Sequence, residues 1–219
     1  MLDRRATRWR RCATLLPFGC LVLCSLVLTV TTNHVVGTIL IINAPAISWI
    51  ATAAIPSGIL IVILYALLGS RNALRWPRLD STVRRRVLGI SAIWLSLWMV
   101  GSVVAAALAG HWIRYADGFP LVAAFMVFGP AGEELLFRGL IFEKARAIWP
   151  TTPAPAMCIS TAAFSLHHLA LGAAPHGLAM AQVLFTIPMG LVFALLRERT
   201  GSILPGWLLH VATNFPAVL

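Results

Sequence analysis

Two adjacent carboxylates, Glu133 and Glu134, lie inside the otherwise apolar stretch 119–142, and they are two of only seven acidic residues in the chain. A carboxylate within a lipid-spanning helix is costly, and such groups usually line a polar cavity or do chemistry there. Two side by side cost more, because like charges this close resist being ionised together. On a helix, Glu134 and Arg138 are four residues apart and share a face in the favourable acid-before-base order. Glu133 points about 100° away and cannot share that guanidinium equally. The spacing therefore gives Glu134 an internal ion-pair partner and leaves Glu133 freer to titrate and act as a base; neighbouring helices could reverse the two roles. Gly129-Pro130, just before the pair, loosens the helix and offers backbone groups to water or a substrate.

Two more polar sets interrupt apolar sequence. In Phe164-Ser-Leu-His-His168, Phe164 and His168 share a helix face while His167 points elsewhere. In His210-Val-Ala-Thr-Asn214, an imidazole and an amide again lie four apart on one face. Counting a rise of about 1.5 Å per residue from the flanking basic loops puts Glu134 at a depth of roughly 14 Å, His168 at roughly 21 Å and His210 at roughly 16 Å. These values cluster around the middle of a hydrocarbon core about 30 Å thick. A lone buried histidine is usually a hydrogen-bonded core residue, and a Glu–Arg pair can be purely structural. Several such features from separate helices, matched in depth, favour a site. His34, His111 and His176 fall in or beside the expected outer loops and are read as solvated.

The elements that must position these residues are membrane helices. The chain has 219 residues, 59% of them hydrophobic and 11% charged, with a mean hydropathy of +0.87. A soluble domain of this size needs far more polar surface. Apolar segments at about 14–32, 39–69, 87–110, 119–142, 154–172, 178–196 and 202–219 approach or exceed the roughly 20 residues that span a bilayer as a helix. Strand-like alternation is absent, which argues against a β-barrel. The fold class expected is all-α: a polytopic membrane protein of about seven transmembrane helices around an intramembrane polar cavity. It divides into a basic arm (1–13), N-terminal transmembrane helices (14–110) and a C-terminal core (111–219) that carries the polar sets, all one membrane domain.

The formal net charge of +10 does not point to nucleic acid, because the basic residues form belts between apolar segments with no aromatic interleaving to stack bases. Five arginines fall in Arg4–Arg11 and six in Arg71–Arg86, while Lys144 with Arg146 and Arg197 with Arg199 occupy two short loops. The positive-inside rule places these belts, and the N-terminus, in the cytoplasm. Cys20, Cys24 and Cys158 lie in apolar segments and behave as small hydrophobes, and no CxxC spacing indicates a redox or zinc motif.

Glu133-Glu-x-x-x-Arg138, then Phe164-x-x-x-His168, then His210-x-x-x-Asn214, each within its own helix, resembles the CAAX protease and bacteriocin-processing family of intramembrane proteases. The flanking text, Glu133-Glu-Leu-Leu-Phe-Arg-Gly139 and Arg199-Thr-Gly-Ser-Ile-Leu-Pro-Gly-Trp-Leu-Leu-His210, is similar too. The likeness covers about residues 119–219. It implies an endopeptidase in which Glu133 with His168 activates a water, His210 and Asn214 hold the substrate carbonyl and the developing oxyanion, Glu134 with Arg138 braces the helix, and Phe164 shapes the pocket beside His168. His167 remains an additional candidate.

The resemblance further implies a peptide or protein substrate with a membrane-associated C-terminal tail; the arginine-rich loops and compact size point to a multi-pass protein of the bacterial inner membrane. Members are often called metalloproteases, and Glu133, His168 and His210 are the ligands if a divalent metal such as zinc binds. The absence of His-Glu-x-x-His and the unusual asparagine favour a site without metal. Competing readings are a proton-coupled carrier, since intramembrane Glu and His also build proton relays, and a bacteriocin-immunity protein without proteolysis. Against a carrier, no inverted repeat or matched pair of broken helices is present.

Overall fold

The computed structural model describes residues 61–109 (apart from 64, 68 and 70), 127–170 and 179–214. Every element among them is helical. The expected first span, most of the second, residues 110–126, and His34, His111 and His176 lie outside the described residues, and the count of seven crossings lies there with them.

Helix α1 (Ser81–Ala109) starts six residues before the apolar segment expected at 87. Asp80 causes the early start: its Oδ1 accepts the backbone N–H groups of Thr82 and Val83, each at 2.8 Å, and so caps the first turn. Ser81–Leu108 has the length and apolarity of a membrane crossing, with a mean hydropathy of 2.0. Leu88, Ile93, Leu97, Val100 and Leu108 stand exposed along it, the surface that lipid would cover.

The rod that carries the glutamates has three parts: α2 (Gly129–Glu133), a π-helical stretch (Glu134–Ile141) and α3 (Phe142–Ile148). Pro130 sits in the first turn of α2, where its missing N–H costs nothing. The helix is π-helical at residues 127–128, just before Gly129-Pro130, and again from Glu134 to Ile141. π-Helical turns are rare, and they concentrate at functional sites. Donors from other helices support this one: Ser160 Oγ donates to Phe137 O at 2.8 Å and Arg197 Nε to Arg138 O at 3.3 Å.

Helices α4 (Ala154–Ala170) and α5 (Ala179–Thr200) make the most extensive helix pair. Gly190 permits their close approach, since a Cβ there would lie 3.0 Å from Thr161 Cγ2 and 3.2 Å from Phe164 Cδ1. Small residues serve membrane helix pairs in this way. Gly201, at φ 66°, then ends α5 by the left-handed turn that glycine adopts without strain.

Two expectations about loops are corrected here. Arg197 and Arg199 lie on the last turn of α5, and Lys144 and Arg146 lie on α3, not in short loops. The helices outlast their apolar sequence because their ends are satisfied by side chains. Arg146 pairs with both carboxylate oxygens of Glu198 at 3.0 and 3.1 Å and donates to the carbonyls of Trp149 and Pro150.

Helix α6 (Leu204–Asn214) packs on α5, α2 and α1. Its foot is fastened to the 3-10 turn Arg71–Leu74, where Ala73 O accepts the Ile203 N–H at 2.9 Å and the Ser202 hydroxyl at 3.2 Å. Near its other end, Trp94 Nε1 of α1 donates to Thr213 Oγ1 at 3.0 Å, and the Thr213 hydroxyl donates in turn to Leu209 O at 2.7 Å. Phe137, Leu140, Ile141, Phe164, Phe193 and Leu196 fill the space between the rod, α4 and α5.

Candidate active site

The rod, α4, α5 and α6 meet around Arg138, whose side chain is fully buried. Arg138 Nη1 pairs with Glu134 Oε1 at 3.0 Å, both side chains being 0% exposed. Arg138 Nη2 donates to Gly190 O of α5 at 3.2 Å. The guanidinium carbon lies 4.3 Å from the centre of the Phe164 ring and 5.2 Å from that of Phe193. An arginine suits such a place because its planar, weakly hydrated fork can stack and bond in fixed directions together.

Glu134 is held on a second side by α6. His210 Nδ1 lies 3.2 Å from Glu134 Oε1. With Glu134 already the acceptor of the Arg138 fork, Nδ1 is the donor, and the lone pair or second proton of His210 belongs to Nε2. That Nε2 lies 3.7 Å from Glu133 Oε2, an ion-pair distance longer than a hydrogen bond. His210 therefore stands between the two carboxylates. Gly206, one turn earlier, makes room: a Cβ there would lie 3.1 Å from Glu134 Oε2.

Glu133 differs from its neighbour as the helical spacing requires. Its side chain is 20% exposed against 0% for Glu134, although Oε2 of each has no hydrogen-bond partner among the described residues. One carboxylate is thus neutralised and held at full burial, while the other is partly exposed with an oxygen beside an imidazole.

His168 is also oriented by its own helix. Its Nδ1 lies 2.8 Å from Phe164 O. A carbonyl can only accept, so Nδ1 carries the proton and a neutral His168 presents a bare Nε2 lone pair. The His168 ring packs edge-on to Phe164 at 4.7 Å between centres, and Phe164 in turn contacts the His210 ring at 5.8 Å. Phe164 is thus the shared wall of His168, His210 and Arg138. His167 packs on Phe137 at 5.3 Å and His168 at 6.0 Å. Asn214 closes the last turn of α6, half-buried, one turn beyond His210. Among the described residues, no three His, Cys, Asp or Glu side chains converge in a way that would hold a metal ion.

Several supporting residues carry no obvious signal in sequence. Gly190, Phe193, Ser160 and Gly206 are small or apolar residues within apolar runs, and their partners lie on other helices. Gly206 alone is flagged, because it sits inside the text that resembles the family.

Two carboxylates and two imidazoles are thus gathered at one apolar helix junction. Residues 115–216, just under half of the chain, match the family model described as type II CAAX prenyl endopeptidase Rce1-like. This is a family of integral membrane proteases, and it agrees with the resemblance carried by the three motifs. The Rce1-like stretch contains α2 through α6 and excludes α1. No curated protein and no solved structure matches the chain.

Proposed function

We propose that the protein is an intramembrane endopeptidase that cleaves a membrane-associated peptide or protein near its C-terminus. The observation that carries the reading is the inequality of the two glutamates: Glu134 fully buried and bonded to Arg138 and His210, Glu133 partly exposed with Oε2 3.7 Å from His210 Nε2. A general base needs a proton-accepting atom that its water can reach; each glutamate keeps one oxygen without a partner among the described residues, but Glu133 is 20% exposed and Glu134 0%.

In this reading Glu133, with the His168 Nε2 lone pair, orients a water and takes one of its protons as the oxygen attacks the peptide carbonyl carbon. The negative charge that gathers on the carbonyl oxygen is met by His210, donating from Nε2 when protonated, and by the Asn214 amide. Donors fixed before the reaction stabilise that charge without reorganising. Collapse breaks the C–N bond, and the proton on Glu133 passes to the departing amine, so one water is consumed for each bond cut. Glu134 and Arg138 hold His210 and the rod in register. The chemistry proposed uses side chains alone, with no metal. The substrate reaches the site from the bilayer or its cytoplasmic face, and three kinds of substrate suit it: lipidated C-terminal tails, bacteriocin-like peptides and sorting-signal tails.

The test is Glu133→Gln in purified protein reconstituted in lipid, read by mass spectrometry of peptide termini in a membrane extract. The expected result is loss of cleavage with an unchanged melting temperature, since an amide fits the same space. Cleavage at the wild-type rate would overturn the assignment, and a Glu133-dependent proton-coupled solute flux without cleavage would replace the protease with a carrier.

A further inference from the structure

The charges of the membrane-proximal segment 71–86 do not balance within the chain. Arg71, Arg75, Arg78, Arg84, Arg85 and Arg86 are all exposed, and none has a carboxylate partner among the described residues. The arginines of the C-terminal half behave differently: Arg138 pairs with Glu134, Arg146 with Glu198, and Arg197 with Glu143 at 3.9 Å. Of the seven acidic residues, Asp3, Asp80, Asp117, Glu133, Glu134, Glu143 and Glu198, those three pairs and Glu133 at the candidate site account for four. Asp80 is engaged in capping α1. Only Asp3 and Asp117 remain, against these six arginines and the five of Arg4–Arg11. The counter-charge must come from outside the polypeptide.

The position of the six arginines identifies the source. Arg84, Arg85 and Arg86 occupy successive positions in the opening turns of α1, so they fan around the helix at about 100° intervals. The apolar crossing continues directly above them, with Leu88 and Ile93 exposed. Trp76, 66% exposed, stands in the same segment, and exposed tryptophan marks the headgroup level of a bilayer. The segment is no loose tail, because the Ala73 carbonyl is bonded to Ile203 and Ser202 at the foot of α6.

We infer that segment 71–86 is a docking surface for anionic phospholipid headgroups of the surrounding leaflet. The inference does not depend on the protease reading. A juxtamembrane arginine or lysine attracts an anionic surface by about 1 kcal/mol, which is about fivefold in affinity per residue. Six together form a lipid-selective collar at the base of α1.

The test uses full-length, delipidated protein titrated with mixed micelles of phosphatidylglycerol and phosphatidylcholine, with bound lipid counted by native mass spectrometry. Wild type should retain phosphatidylglycerol preferentially, and Arg84→Gln, Arg85→Gln and Arg86→Gln combined should lower that preference at least tenfold. The matching Lys substitutions, which keep the charge and so the insertion signal, should preserve it. If the Gln variant does not insert, the wild-type protein still decides the matter, since raising salt from about 0.05 M to about 1 M should erase the preference. Equal retention of the two lipids by wild type at low salt would overturn the inference. So would a preference indifferent to salt, or displacement of the lipid by inorganic phosphate or single-stranded RNA at equal charge.

Discussion

Replacing Arg138 by Met tests whether the site is held by its central ion pair. Arg138 and Glu134 are both fully buried and 3.0 Å apart, and the guanidinium also serves Gly190 O and lies over Phe164. A methionine of similar length fills most of the volume but leaves Glu134 as a buried charge with His210 as its remaining partner. Breaking one side of such a pair costs about 3–5 kcal/mol. At about 2–4 °C per kcal/mol for a chain of this size, the melting temperature should fall by about 6–20 °C. The companion variant, Arg138→Met with Glu134→Gln, removes both charges, and the Gln carbonyl can still accept the His210 Nδ1 proton. Removing both partners of a buried pair is often close to neutral, so the double variant should recover more than half of the lost stability. Thermal denaturation in a single detergent, with monodispersity followed by size exclusion, measures both. A double variant no more stable than Arg138→Met would refute the reasoning, since an uncompensated carboxylate could not then be the source of the loss.

Gly206→Ala places a Cβ 3.1 Å from Glu134 Oε2 and should displace that carboxylate, lowering the rate of peptide cleavage by at least tenfold at a cost in stability of about 1–3 kcal/mol; an unchanged rate would show that Glu134 tolerates movement. Trp94→Phe keeps an aromatic body but loses the donor to Thr213 Oγ1, and chemical denaturation should record a loss of about 1 kcal/mol. Ser160→Ala removes the lateral donor to Phe137 O and should cost about 1 kcal/mol by the same measurement. Prolonged dialysis against a chelator should leave cleavage intact, and a loss that zinc restores would defeat the metal-free chemistry.

The glutamate rod was the most legible part of the chain because its signal is local. Glu134 and Arg138 pair on one helix as their spacing requires, and Glu133 stands apart from them. The His168 and His210 helices were also readable as apolar segments, since α4 and α6 begin within two residues of the expected starts at 154 and 202. What spacing could not supply is the partner from another helix. Nothing local places His210 between Glu133 and Glu134, because that depends on how close α6 comes to the rod, and closeness is set by Gly206. The polar residues at helix ends misled in the other direction. Arg146 and Arg197 read as loop charges, yet each completes a helix terminus through a carboxylate on the neighbouring helix.

The π-helical stretch has a consequence for how the carboxylates are aimed. A widened turn holds one residue more than an α-helix would need to cover the same rise, so the aim of the side chains between Glu133 and α3 is set by the number of residues there as much as by their kinds. Deleting a single residue from Leu135–Leu140 would let the turn relax to an ordinary helix of the same rise, leaving Glu133 and α3 about where they are but re-aiming residues between them, Arg138 among them. Every reactive side chain would still be present in such a protein. The direction of attack is thus written partly as a length, which side-chain substitution alone cannot probe and a one-codon deletion can.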